Sequence, residues 1–253
     1  WRFRVPTDQR EHVLFSIRVE MVLAENAVRI IFYRHGDKAE QALLADEKKI
    51  RLILRPDIED RNFHETTKAY LGPEQHFRTF ITARPDGFTF TPHPQRRLCV
   101  RLSKGNFISE PEWQYLVYRP LEKERGLDPD SDLFSPGYFS TDLKGGEQVE
   151  LRVQVAEPGQ LDSPALKSTD SMPTPFVVDN APGWKPVEAM ASALDHYLVK
   201  RGALKSVIAG YPWFGDWGRD TMIALPGVTL ETGRPDLARS ILRTYGQFVD
   251  QGM

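Results

Sequence analysis

The amino-acid sequence predicts a chain that is all-β first and α-helical second, on three observations. Up to Val155 apolar and polar residues alternate in short runs. Between Ala156 and Trp184 the text turns rich in Pro, Ser and Asp, and no period survives. Beyond that stretch the apolar spacing lengthens to that of a helix. The expected division is an antiparallel β-sandwich over residues 1–157, a linker over 158–183 and a helical region over 184–253.

The first clear strand begins at Val13, where Val13, Phe15, Ile17, Val19, Met21 and Leu23 point one way, with Ser16, Arg18 and Glu20 between them. Further strands are expected over 28–33, 50–54, 77–82, 88–91, 98–102, 112–118 and 148–155. Turn signals separate them: Asn26, the run Arg84-Pro85-Asp86-Gly87, and Gly145-Gly146. Many short strands at this spacing fit a sandwich of two antiparallel sheets. After the linker, Val187, Met190, Ala191, Leu194, Tyr197 and Leu198 share a helical face behind Pro186, which suits a first turn. Leu237, Ala238, Ile241, Leu242, Tyr245, Phe248 and Val249 repeat that pattern behind Pro235.

Composition narrows the function. With 253 residues, 40% of them hydrophobic, the chain can bury a sizeable core. The net charge of -2 and the lack of any long single-sign run leave no electrostatic footprint for nucleic acid or an acidic membrane, so a neutral partner is expected. A single cysteine, Cys99, can form no internal disulfide and has no CxxC companion, which fits a reducing, cytoplasmic setting. The six histidines show no metal spacing, and His64 is read as a structural, hydrogen-bonded residue. Asp128, Asp130 and Asp132 space like the start of a calcium loop, but Leu133 stands where Gly is needed and Phe139 where the closing Glu belongs. No metal and no cofactor is expected. No apolar run approaches the roughly 18 to 20 residues of a membrane span. The chain begins at Trp1 and ends at Met253 directly after a strong helical pattern, so it is expected to be a piece of a longer protein.

The stretch GYPWFGDWGRDTMIALPG, from Gly210 to Gly227, crowds Tyr211, Trp213, Phe214 and Trp217 around Asp216 and Asp220, with Arg219 beside the second acid. Pro212, Gly215 and Gly218 make 211–218 a loop, and the run from Asp220 begins a helix in which Pro226 sits too deep for straight continuation. Two readings stand side by side. Asp220 caps that helix and the rings are core filler; or the rings are flat platforms for a sugar, and the carboxylates bind hydroxyls or transfer protons.

The longer run AGYPWFGDWGRDTMIALPG followed by TGRPDLARSIL resembles the catalytic-domain entry of the bacterial glycogen-debranching, amylo-α-1,6-glucosidase family. LRPDIEDRNFHETT and EKERGLDPDSDLFSPGYF resemble signatures of that family's β-sandwich domain. Together these segments span the chain from about Arg51 onward, whereas the first fifty residues match only in strand pattern. The resemblance implies a six-hairpin glycosidase, a β-sandwich followed by an (α/α)6 barrel of which this chain holds the first helices. It implies hydrolysis of α-1,6-linked glucose at the branch points of glycogen or a limit dextrin, with inversion. It implies that Asp220 is the general acid, that Trp217 and Arg219 line the glucose subsite, and, more weakly, that Trp213 joins them. Gly215 stands where many relatives carry Thr. The family's general base lies beyond Met253, so the chain alone is expected to be inactive. Alternatives are another six-hairpin hydrolase acting on a small glucoside such as trehalose or isomaltose, and a non-catalytic carbohydrate-binding module.

An acid that protonates a glycosidic oxygen near neutral pH needs a raised pKa. A helix N-terminus and the adjacent Arg219 oppose that, so burial among the rings or a nearby carboxylate is required. Asp216 is read as a ligand for a substrate hydroxyl or as a loop anchor, since an inverting pair of carboxyls stands about 6.5 to 9.5 Å apart.

Overall fold

The computed structural model describes residues 1–7, 10–22, 25–36, 43–62, 65–156, 190, 193–210 and 214–250. The chain divides into two compact units, Trp1–Thr174 and Pro175–Met253. The expected linker over 158–183, and His64, lie outside the described residues.

The first unit is built from β1 (Arg2–Pro6), β2 (His12–Met21), β3 (Ala27–Arg34), β4 (Ile50–Leu54), β5 (Ile81–Arg84), β6 (Gly87–His93), β7 (Arg96–Leu102), β8 (Asn106–Tyr118), β9 (Asp130–Leu143) and β10 (Gln148–Ala156). Seven strands form one antiparallel sheet in the order β1-β2-β3-β10-β7-β6-β5, and three form a second in the order β4-β9-β8. Each sheet turns one row of side chains toward a shared core. Phe15, Phe32, Phe88, Phe90, Val100 and Leu151 come from the larger sheet, and Phe107, Phe134, Phe139 and Leu143 from the smaller. Phe88 and Phe139 meet across the layers at 6.3 Å between ring centroids. The arrangement is that of a β-sandwich.

Two expectations are corrected here. The run Phe77–Thr82 is not one strand: Phe77–Phe80 forms a 3-10 turn after the short helix α1 (Pro73–His76), and β5 starts only at Ile81. Its apolar residues, Phe77, Phe80 and Ile81, keep no two-residue period, and Phe77 is spent plugging the core between Phe90, Trp113 and Phe134. Strands β1 and β9 were not expected at all. β9 carries Ser131, Asp132, Ser135 and Thr141 in buried positions where a strand usually shows apolar residues. Asp132 accepts from the amides of Ala69 at 2.8 Å and Leu116 at 2.9 Å, and so holds Leu116 in a left-handed conformation (φ 54°) at a register shift between β8 and β9. Asp128, just beyond the short helix α2 (Pro120–Glu124), pairs with Lys68 at 2.9 Å. These carboxylates thus serve the fold.

One buried cation organises the lower end of the sandwich. Arg34 ends β3 with 1% of its surface exposed, and its guanidinium donates to four carbonyls, those of Leu44, Ala45, Lys48 and Leu143. Burial lowers its pKa against the pull of Asp46, Glu147 and Glu47.

The second unit holds β11 (Leu198–Arg201), β12 (Leu204–Gly210) and β13 (Phe214–Asp216) in one antiparallel sheet. Helix α3 (Gly218–Leu225) follows at once. It passes at Pro226 into a π-helical turn, Pro226–Leu230, because proline has no amide to continue the ladder. Helix α4 (Pro235–Gly246) packs Ile241 against Val207 and Val228. A sheet was not expected here. The helix anticipated through Leu198 gives way before it, and Leu198 pairs with Val207 as a strand residue. Likewise the loop expected over 211–218 contains β13, whose Asp216 pairs with Ile208.

Candidate functional site

β12 is the spine of the motif, because groups from both neighbouring strands and both helices fasten to it. Helix α4 is stitched on by Ser240, which accepts from the Lys205 amide at 3.1 Å, and by Thr244, which donates to the Lys205 carbonyl at 2.5 Å. Helix α3 is attached through Thr221, whose hydroxyl donates to the Val207 carbonyl at 3.4 Å.

Asp216 closes β13 with 14% of its side chain exposed. One carboxylate oxygen accepts from the Arg201 guanidinium, and the other from the Ser206 hydroxyl at 2.7 Å. Burial works to raise its pKa, but these bonds outweigh it and hold the group below the usual aspartate range. Ser206 also stands 3.3 Å from the Tyr245 hydroxyl, which lies 2.8 Å from that of Thr221. A polar chain therefore runs from β11 through Asp216 and Ser206 into α4 and α3. Arg201, Ser206, Thr221 and Tyr245 are site-building residues that sequence reasoning passed over. Tyr245 was counted as one more apolar contact on a helix face, and only Ser206, polar in the middle of an apolar run, gave any signal.

Asp220 has a different setting. It occupies the first turn of α3, whose N-cap is Trp217, and no side chain makes a capping bond there. Asp220 is therefore not the cap residue, and the acid faces outward with 43% of its side chain exposed. Arg219, 79% exposed, stands 3.4 Å away. The two acids sit on different elements, Asp216 on a strand and Asp220 on a helix, so the spacing of four residues does not set their separation. Trp217 and Phe214 are each about half exposed (53% and 50%) and meet edge to face at 6.1 Å. These two rings are not core filler. Tyr211 and Trp213 lie outside the described residues.

The site thus holds one acid fastened by protein groups, Asp216, and one exposed acid, Asp220, whose cation is Arg219, with two half-exposed rings in the same stretch of chain. Exposed carboxylate, guanidinium and aromatic groups in one short segment are the equipment for handling a polyol such as a sugar. Among the described residues no cluster of His, Cys, Asp and Glu could hold a metal ion.

A family model described as glycogen debranching enzyme N terminal matches residues 1–150, and one described as amylo-alpha-1,6-glucosidase matches residues 191–253. No curated relative matches the chain. The first match takes in most of the two sheets, and the second takes in both acids; the chain belongs to the glycogen debranching enzyme family.

Proposed function

We propose that this chain is part of a cytoplasmic debranching glucosidase that removes α-1,6-linked glucose from the branch points of a branched α-glucan, with Asp220 as general acid. The observation that carries the reading is the contrast between the two acids: Asp216 has both oxygens engaged by protein groups, whereas Asp220 faces outward at the start of α3 beside Arg219 and Trp217. Residues 1–157 serve as the sandwich domain, 158–183 as a linker, and 184–253 as the opening of an (α/α)6 barrel.

In this reaction the Asp220 carboxyl gives its proton to the glycosidic oxygen as the bond to C1 breaks. Trp217 offers the glucose an apolar face, and Arg219 donates to its hydroxyls. Trp213 is a further candidate for that subsite. Asp216 acts chiefly as the anchor that fixes β13, and so aims the start of α3. Inversion needs a second carboxylate that activates water on the opposite face, about 6.5 to 9.5 Å from the acid. We place that base downstream of Met253, so the 253-residue chain by itself releases no glucose. Packing of the later barrel helices over Asp220 would exclude water from the acid and its substrate.

The complete enzyme acting on a singly branched limit dextrin tests the reading. Proton NMR of the first product should show β-glucose. Early α-glucose would remove the inverting mechanism, and with it the reason to seek the base elsewhere.

A further inference from the structure

At the end of the smaller sheet of the first unit lies a groove of about 380 Å3, within the range that holds small ligands. It is lined by the start of β4, the turn before β8, the end of β9 and the turn into β10. Two of these walls are fixed from inside by Arg34, which bonds the carbonyls of Lys48 and Leu143. Gly105, in the turn before β8, adopts φ +119° and lies so close to β9 that a Cβ would come within 2.5 Å of the Ser140 carbonyl. The walls are therefore built to a defined separation.

The charges lining the groove do not balance. Arg51 pairs with Asp142 at 3.2 Å, and Lys104 with Glu147 at 3.0 Å. Lys49 and Lys144 line the same groove and form no ion pair among the described residues. Glu147 also accepts from the Lys144 amide at 2.9 Å, which draws that turn into the site. Its pKa is lowered, first by that amide and then by Lys104, so it stays ionised.

We propose that this groove binds a hexose bearing a phosphomonoester. Two ammonium groups that form no ion pair among the described residues, those of Lys49 and Lys144, match the charge of about -1.5 to -2 on a phosphomonoester at neutral pH. Asp142 and Glu147 would repel a polyanion, but each has lone pairs left to accept sugar hydroxyls after bonding its cation. That combination favours a ligand with one anionic end and one hydroxyl-rich end over nucleic acid or an acidic membrane. The phosphate ester can come from a free hexose phosphate or from a phosphorylated residue within a glucan.

The test uses the 15N-labelled 253-residue chain titrated with glucose 6-phosphate at 150 mM salt. Saturable amide shifts confined to residues 49–51, 104–106 and 140–147 are expected, with half-saturation near ~1 mM, while glucose produces none and inorganic phosphate binds at least about tenfold more weakly. Lys49→Gln with Lys144→Gln should weaken binding about tenfold with the spectrum otherwise unchanged. Retardation of the chain in gels containing phosphorylated amylopectin, lost after phosphatase treatment, would assign the ester to the glucan; no retardation beside firm glucose 6-phosphate binding would assign it to the free sugar. Absence of saturable shifts overturns the proposal. So does equal response to phosphate and glucose 6-phosphate, which marks an adventitious ion only, or binding that survives the double substitution.

Discussion

Replacing Asp216 by Asn removes one negative charge from a group whose two oxygens both work. The bond to Ser206 is charge-assisted and shielded, and losing it is worth about 1.5 kcal/mol. Arg201 is 45% exposed, so its ion pair adds only about 0.5 kcal/mol after solvent screening. The sum is about 2 kcal/mol, or about thirtyfold in a local opening equilibrium. Hydrogen exchange reads it directly at the β12–β13 ladder, where Ile208 pairs with Asp216 and Gly210 with Phe214. Protection there should fall about thirtyfold in Asp216→Asn, while the β3–β10 ladder of the first unit is unchanged. The pH dependence has a fixed sign. Because the native pKa is depressed, the contribution is present above the ordinary aspartate value and is lost as pH falls below it through the native value. In Asp216→Asn this acid sensitivity of the ladder should vanish. Unchanged protection in the variant would refute the anchor role and return Asp216 to the substrate-binding candidates.

Three further outcomes follow from the packing. Ile241→Ala empties a fully buried site between α4 and β12 and should lower stability of the second unit by about 2 to 5 kcal/mol, measured by urea unfolding followed through Trp217 and its neighbours. Gly137→Ala places a Cβ 2.1 Å from the Ile108 carbonyl at φ +145°, so a melting temperature within 1 °C or so of the parent chain would contradict the described β8–β9 register. Arg34→Leu leaves four carbonyls, that of Leu143 buried and the other three part-buried, without their donor and should cost about 3 kcal/mol in the first unit; a loss under about 1 kcal/mol would mean that water replaces the guanidinium freely.

The sequence made legible whatever obeys a simple period. β2, β4, β7 and β10 show apolar alternation because one face meets the core and the other is more exposed, whereas β3 reads as a strand by its β-branched and aromatic run, buried at Ile31, Phe32 and Tyr33 alike. β9 lacked that signature since its inward polar groups are satisfied by specific partners, Ser131 by Glu59 and Asp132 by two amides, which no window average reveals. Leu198 satisfied a helical period by coincidence, and the pairing with Val207 overrode it. In the motif, Pro226 and the helix start near Asp220 were readable from backbone chemistry alone. The division of labour between the acids was not, because it depends on Arg201, Ser206 and Tyr245, which come from other elements.

Asp220→Asn in the complete enzyme, assayed on a branched dextrin and on α-glucosyl fluoride, tests the central claim most directly. A general acid matters little when fluoride leaves without protonation. Turnover of the dextrin should fall about 100- to 10,000-fold, while the fluoride retains much of its parent rate. Equal, severe losses on both substrates in a stably folded variant would contradict the assignment and make Asp220 a binding residue.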